Sequence, residues 1–66
     1  MKNTIKIERT ILDLTQDDLA KKIGVSRQTI NSIEKNRFVP STVLALKLSK
    51  IFNKPVNDFF TLDKND

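Results

Sequence analysis

The stretch Leu14–Arg37 places one glycine between two short amphipathic segments, and this feature constrains the fold more than any other in the chain. Thr15 can cap a helix, and Asp18 three residues later puts negative charge in the first turn. Gly24 is the only glycine of the chain, and it suits the left-handed backbone that often follows a helix. Ser26 can cap a second helix. The stretch therefore predicts two helices joined by a tight turn.

Both predicted helices have an apolar side, and the second also has a distinctive polar side. Apolar residues recur at helical spacing as Leu19, Ala20 and Ile23, and then as Ile30 and Ile33. Five polar residues share the opposite face of the second helix, namely Arg27, Gln28, Asn31, Ser32 and Lys35. Side chains of these types can bind base edges or phosphates of DNA. A solvated helix face is the alternative for any one of them, but the combination with the glycine and the caps favours DNA reading.

The composition argues against several classes of protein. The 66 residues predict one domain, spanning 1–66, near the lower size limit for folding without a disulfide or metal. The chain has no cysteine and no histidine, so we expect neither an enzyme nor a bound cofactor or metal. No apolar run approaches a membrane span and no signal peptide is visible, which predicts a cytoplasmic protein. The net charge of +4 suits a polyanionic partner without identifying one.

The stretch Leu14–Arg37 resembles the helix-turn-helix of the lambda-repressor/Cro (Xre) family, and VSRQTINSIEKNRFVPS is similar to its small cytolysin-repressor-type members. The resemblance runs from about Thr4 to Leu62. It implies an all-α, lambda-repressor-like DNA-binding domain of five helices, near 4–12, 16–23, 27–35, 41–52 and 55–60, with the helix-turn-helix at about 16–35. It also allows a short two-stranded sheet from the chain ends, formed with Leu62 and the acidic tail; a frayed tail is the alternative.

The first predicted helix carries two competing apolar stripes. Ile5 and Leu12 lie on one side, and Ile7 and Ile11 lie on another. The resemblance favours Ile5 and Leu12 as the core side. Ile7 and Ile11 are then exposed, or covered by the C-terminal tail or a second subunit.

The resemblance also implies roles for individual residues. Bases would be read by Arg27, Gln28, Asn31 and Ser32, and phosphates would be bound by Gln16, Lys35 and Arg37. An ion pair between Arg9 and Glu34 would tie the first helix to the third; two unrelated surface charges are the alternative. Phe38 is expected to pack under its loop, with stacking on a base as the alternative.

The C-terminal part of the chain is predicted to hold the longest helix, ending at Phe52, and a last short helix that begins at Pro55. Three lysines near the end of the long helix, Lys47, Lys50 and Lys54, are explained by the helix dipole and are left out of the site. The resemblance makes the region of about 55–62 a dimer interface, with the apolar residues Val56, Phe59, Phe60 and Leu62. Core filling is the alternative for these residues, and Val56 and Phe59 are expected to serve both roles.

These observations predict a sequence-specific regulator of double-stranded DNA, in particular a repressor that binds a pseudo-palindromic operator as a homodimer. The alternative is a protein-interaction or antitoxin-like adaptor module on the same fold. An adaptor would not need base-reading side chains on the third helix, so this face discriminates between the two hypotheses. A regulatory partner protein is compatible with either hypothesis, and the sequence does not identify one.

Overall fold

The computed structural model describes residues 1–66 and contains four α-helices and a small sheet made by the two chain ends. In chain order the elements are β1 (Lys2–Asn3), α1 (Ile5–Ile11), α2 (Gln16–Ile23), α3 (Arg27–Glu34), α4 (Thr42–Phe52), a 3₁₀ turn (Val56–Asp58) and β2 (Phe60–Thr61). The two strands are antiparallel, with Lys2 opposite Thr61 and Asn3 opposite Phe60. None of the helices combines the length and apolar character needed to span a membrane.

Local side-chain bonds set the start of α2 and of α3. The Thr15 hydroxyl accepts a hydrogen bond from Asp18 N–H at 3.0 Å, and the Asp18 carboxylate accepts one from Thr15 N–H at 3.0 Å. This reciprocal pair is a capping box. Gly24, at φ 75°, ends α2 in the left-handed region, and the Ser26 hydroxyl then caps α3. The two helices and the turn between them are thus as the sequence predicted.

The ends of α3 and α4 rely on asparagine in place of glycine. Asn36 has φ 60° and Asn53 has φ 54°, and asparagine tolerates this left-handed backbone better than most residues. After α3, Asn36 N–H donates to Ile33 C=O at 3.0 Å and Arg37 N–H donates to Ser32 C=O at 2.9 Å. This pair of bonds is a Schellman motif, which satisfies carbonyls that the helix end leaves free.

One apolar core joins all the elements. It consists of ten buried residues, namely Ile5, Leu19, Ala20, Ile23, Ile30, Ile33, Leu48, Phe52, Phe59 and Phe60. The rings of Phe52 and Phe59 meet edge to face with centroids 5.1 Å apart. The core therefore packs against the inner side of the helix-turn-helix and connects it to the C-terminal segment.

The predicted fifth helix is wrong. The chain makes only the 3₁₀ turn Val56–Asp58, and Phe60 then enters β2. Phe59 is 1% exposed and its carbonyl accepts a bond from Thr4 N–H at 3.0 Å, so the backbone here bonds to the N-terminal segment and not along a helix. These long-range bonds outweigh the local tendency of so short a segment to form a helix.

The sheet of the chain ends is present, but it lies two residues earlier than the sequence suggested. Leu62 and the acidic tail follow β2 and do not pair as a strand. The tail is held in another way, because the Met1 ammonium lies 3.0 Å from the Asp63 carboxylate and 2.9 Å from that of Asp66. The hydrogen bonds to Asp66 and Asp63 raise the pKa of this ammonium.

The register predicted for α1 is correct at one end only. Ile5 is 1% exposed, and Ile7 and Ile11 are exposed as expected. Leu12, which the sequence assigned to the core side, is 44% exposed. It is the C-cap residue of α1, at the end of the helix, where the core covers its side chain only partly.

Candidate nucleic-acid interface

The polar face of α3 is open to solvent at its N-terminal end. Arg27 and Gln28 are exposed, and neither side chain forms a hydrogen bond or ion pair within the chain. Asn31 and Ser32, one turn further along, are half-buried. The opposite side of α3 holds Ile30 and Ile33, both fully buried. The helix therefore presents free hydrogen-bonding groups to solvent, while its opposite side is packed in the apolar core.

Two shallow depressions lie beside this face. One has a volume of about 510 Å³ and is lined by Ser26, Arg27, Gln28 and Asn31. The other has a volume of about 400 Å³ and is lined by Ser26, Gln28, Thr29, Ser32, Arg37 and Phe38. Gln28 and Ser26 belong to both depressions, so Gln28 stands on the ridge between them. Such a ridge with a free amide is a suitable shape for entering a groove of a duplex.

A network of side-chain bonds braces α3 from behind. Arg9 Nε donates to Glu34 Oε2 at 2.8 Å, and Arg9 Nη1 donates to the Leu14 carbonyl at 2.9 Å. Gln16 Nε2 donates to Glu34 Oε1 at 3.0 Å. The Arg9 and Glu34 side chains are only 12% and 7% exposed. The network connects α1, the loop after it, α2 and α3, and so sets the position of α3 relative to the other helices.

Gln16 has little free hydrogen-bonding capacity for a phosphate. Besides its bond to Glu34, its Nε2 donates to Asn31 Oδ1 at 3.3 Å, so both amide hydrogens are used. A bond from this side chain to a phosphate oxygen would have to replace one of these two, and the longer bond to Asn31 is the weaker. The bond to Asn31 also orients that side chain, leaving its Nδ2 free to donate outward.

The basic residues after α3 lie in different surroundings. Lys35 is the C-cap residue, exposed and outside both depressions. Arg37 is exposed, forms no side-chain bond and lines the 400 Å³ depression with Phe38. Phe38 is 46% exposed, so the expectation that it packs under its loop is wrong. The sequence also missed Ser26 and Thr29 as part of this surface, because Ser26 was explained as a helix cap and Thr29 was not singled out.

Two lysines of the C-terminal part have partners that the sequence did not indicate. Lys54 Nζ donates to Glu8 Oε1 at 2.8 Å, and Glu8 is 9% exposed. This hydrogen bond raises the pKa of the Lys54 ammonium. Lys47 Nζ donates to the Ile23 carbonyl, at the end of α2, at 3.4 Å. Lys54 therefore stabilises the contact between α1 and the chain after α4, and Lys47 binds a carbonyl that the end of α2 leaves free.

The apolar residues proposed for a dimer interface do not form one continuous surface. Phe59 is 1% exposed and belongs to the core, which corrects the prediction for that residue. Phe60 is 8% exposed, Val56 is half-buried and Leu62 is 74% exposed. Phe60 and Val56 instead line a groove of about 310 Å³ together with Met1, Val39, Pro40, Thr42, Ala45 and Leu46. This set is called the apolar groove below.

The groove includes two large exposed apolar side chains. Val39, in the loop after α3, is 68% exposed and was not singled out from the sequence. Leu46 was expected to widen the inner side of α4 beside Leu48, but it is 60% exposed while Leu48 is fully buried, so that expectation is wrong. The exposed apolar surface thus lies beside α4 and shares no lining residue with the two depressions.

Comparison with known proteins identifies the arrangement of α2 and α3. The helix-turn-helix family model matches residues 5–59. The chain belongs to the Xre-type helix-turn-helix family. In this motif the second helix, here α3, is the recognition helix that enters the major groove.

Relatives of this Xre-type chain match it over nearly their whole length. It is 48% identical to the HTH-type transcriptional regulator MJ0272 of Methanocaldococcus jannaschii, over all of both chains. It is 41% identical to the HTH-type transcriptional regulator YgzD of Bacillus subtilis, again over all of both chains. It is 39% identical to an HTH-type transcriptional regulator of Archaeoglobus fulgidus, covering all of this chain and 93% of the relative.

Proposed function

We propose that this chain is a repressor that binds a pseudo-palindromic DNA operator as a homodimer. Membership of the Xre-type family makes it a DNA-binding regulator in general terms. The observation that carries the more specific proposal is the face of α3, where Arg27 and Gln28 have no partner in the chain while the helix behind them is braced. A surface helix with no DNA to read would have no need of such bracing.

Base reading is assigned to Arg27, Gln28, Asn31 and Ser32. Gln28 on its ridge can pair with an adenine, and Arg27 can pair with a guanine. Asn31 contributes its free Nδ2 group as a donor, because Gln16 occupies part of its carbonyl oxygen. Ser32 reaches the second depression, where its hydroxyl can donate or accept.

Phosphate binding is assigned to Arg37, Lys35 and Gln16. Arg37 and Lys35 are exposed cations at the C-terminal end of α3, on either side of the Asn36 turn. Gln16 stands at the start of α2 and reaches a phosphate by exchanging its 3.3 Å bond to Asn31. Contacts from the start of α2 and from the turn after α3 would fix the register of α3 on the duplex.

The homodimer is supported by geometry and by the apolar groove. The eight residues of α3 extend about 12 Å, so one copy reads only a few base pairs. One copy measures 32 Å along its longest axis and carries one recognition helix, whereas the half-sites of a palindrome lie about 34 Å apart. We assign the groove to a second copy, with Val39, Leu46 and Val56 at its centre, Phe60 at its floor and Leu62 at its edge. Residues 1–66 then act as one domain.

Repression fits the same arrangement. A dimer seated on an operator blocks that stretch of duplex for other proteins. The similarity to cytolysin-repressor-type proteins favours this mode over activation.

The apolar groove also keeps a second candidate open, namely a protein-interaction module. An adaptor would use the groove, lined by six hydrophobic residues, as its main surface. Mutations on the polar face of α3 would leave the binding of an adaptor to its partner protein intact. This expectation separates the two hypotheses.

Selection of binding sites from a random duplex library, followed by salt titration, tests the proposed function. We expect one pseudo-palindromic site to emerge, with affinity that falls steeply between about 50 and 200 mM salt. Gln28→Ala should cost about 1–3 kcal/mol and relax preference at particular bases, whereas Arg37→Ala should weaken all sequences alike and lower the salt slope by about 1. The proposal fails if no site is enriched, or if Gln28→Ala leaves both affinity and preference unchanged.

A further inference from the structure

The side chain of Asn3 joins the sheet of the chain ends to the end of α3. Its Nδ2 donates to the Ile33 carbonyl at 2.9 Å and to Asn36 Oδ1 at 2.9 Å. Its Oδ1 accepts from Ile5 N–H, at the start of α1, at 3.2 Å. Two donors and one acceptor on one short side chain are a combination that only an amide provides. The three bonds bring together β1, α1 and the turn after α3.

The turn that Asn3 holds determines where Arg37 points. Asn36 is the left-handed residue of the Schellman motif, and Arg37 is the next residue. The Ile33 carbonyl accepts from both Asn36 N–H and Asn3 Nδ2, so the backbone and the side chain of this turn are both anchored. Without these anchors, the exposed turn would rest on its two backbone bonds alone.

The backbone of Asn3 belongs to the sheet, and its neighbours in the sheet line the apolar groove. Asn3 lies opposite Phe60 in the antiparallel pair, and Thr4 N–H donates to the Phe59 carbonyl at 3.0 Å. Phe60 and Met1 line the groove. Because Asn3 belongs to the sheet and also bonds to the end of α3, a displacement of the sheet would displace the turn after α3 as well.

We propose that Asn3 is a positioning residue for DNA binding, which holds the Asn36 turn so that the Arg37 guanidinium stands ready for a phosphate. This rests on the proposed function, because it assumes that Arg37 binds a phosphate. Asn3 itself carries no charge and touches no DNA. It acts from the sheet side of the turn, and it makes the phosphate contact depend on the packing of the chain ends.

The test uses the full chain, a mixed-sequence labelled duplex of about 30 base pairs and salt between about 50 and 200 mM. Asn3→Ala should bind about three- to tenfold more weakly, as expected for the loss of anchoring hydrogen bonds. It should also lower the salt slope, by up to about 1, although it removes no charge. Asn65→Ala is the matched control, because Asn65 is exposed and its side chain forms no hydrogen bond, and its slope should equal that of the wild type.

A double-mutant cycle shows whether Asn3 acts through Arg37. In the Arg37→Ala background, Asn3→Ala should cause no further loss of DNA affinity, since the positioned group is already gone. A second variant, Asn36→Gly, removes the Asn36 acceptor while glycine keeps the left-handed backbone. Asn36→Gly should reproduce part of the decrease in the salt slope. If Asn3→Ala does not fold, the salt slope of Asn36→Gly and its double-mutant cycle with Arg37→Ala test the positioning role instead.

The outcomes separate this proposal from the proposed function. If Arg37→Ala lowers the slope while folded Asn3→Ala and Asn36→Gly keep the wild-type slope, the positioning role is refuted and DNA binding stands. Additive losses in the cycle also refute it, because Asn3 would then act independently of Arg37. If the wild-type protein shows no salt-dependent binding, the proposed function falls and the role of Asn3 falls with it.

Discussion

Glu34 accepts hydrogen bonds from two side chains on two other elements, Arg9 on α1 and Gln16 on α2. It stands at the C-terminal end of α3, one residue before the C-cap. Its side chain is 7% exposed, so its charge depends on these donors in place of water. This carboxylate thus contributes to the orientation of the recognition helix, together with the packing of Ile30 and Ile33 in the core.

Glu34→Ala should lower the free energy of unfolding by about 3 kcal/mol, because it leaves the Arg9 guanidinium largely buried without its partner. Urea denaturation measures this loss. Lys21→Ala is the control, since Lys21 lies 3.3 Å from Asp17 in an ion pair whose side chains are 77% and 55% exposed. The control should change stability by less than about 1 kcal/mol. Equal losses in the two variants would show that the burial of the Arg9 pair has no energetic consequence.

Among the elements, α2 has the most completely capped N-terminus. Thr15 and Asp18 exchange two hydrogen bonds. The bond that Thr15 N–H donates to the Asp18 carboxylate is the main cause that lowers the pKa of this carboxyl, and the Thr15 side chain beside it adds to the effect. Because the folded-state pKa lies below the usual value of 3.8, this group stabilises the fold fully above that value. The contribution is lost as the pH falls through the folded-state pKa.

Asp18→Asn should therefore be less stable than the wild type at about pH 5, and the difference should shrink toward zero at about pH 2. Urea midpoints across this range measure the difference. Asp17→Asn serves as the control, because the Asp17 carboxylate lies in the same turn but accepts no backbone hydrogen bond. A difference between wild type and Asp18→Asn that stays constant over the range would contradict the capping role of the charge.

For the whole molecule, the polar face of α3 and the apolar groove are two separate surfaces, and the loop after α3 contributes residues to both. The groove is formed by the loop after α3, α4 and the C-terminal segment, and it meets the sheet at Phe60. DNA reading and self-association can therefore use different residues. A mutation of a groove residue on α4, away from the sheet, should therefore affect DNA binding through the oligomeric state.

Leu46→Glu should convert a dimer to a monomer and weaken operator binding without changing base preference, because it puts a charge into the apolar groove. Sedimentation at micromolar concentration and binding to the selected site measure the two effects. Ile11→Glu is the control, since Ile11 is 67% exposed on α1 and does not line the groove. A wild-type protein that sediments as a monomer would refute the dimer, as would unaltered dimerisation of Leu46→Glu.

The sequence by itself determined the local features of this protein. Thr15, Gly24 and Ser26 set the limits of α2 and α3 through bonds and backbone angles within a few residues, so their effect could be read from neighbouring positions. The apolar and polar sides of α3 followed from helical spacing alone. These features were sufficient to identify the helix-turn-helix and to name Arg27 and Gln28 among the residues that it exposes.

The tertiary structure decided what depends on residues far apart in the chain. The bond from Asn3 to Asn36 spans 33 positions, and that from Lys54 to Glu8 spans 46, so no local pattern predicts either. Phe59 entered the core and Phe60 a strand because the N-terminal segment offered packing and backbone partners that outweigh a short helix. The apolar groove likewise exists only once the loop after α3 packs beside α4, since its residues share a surface but no sequence period.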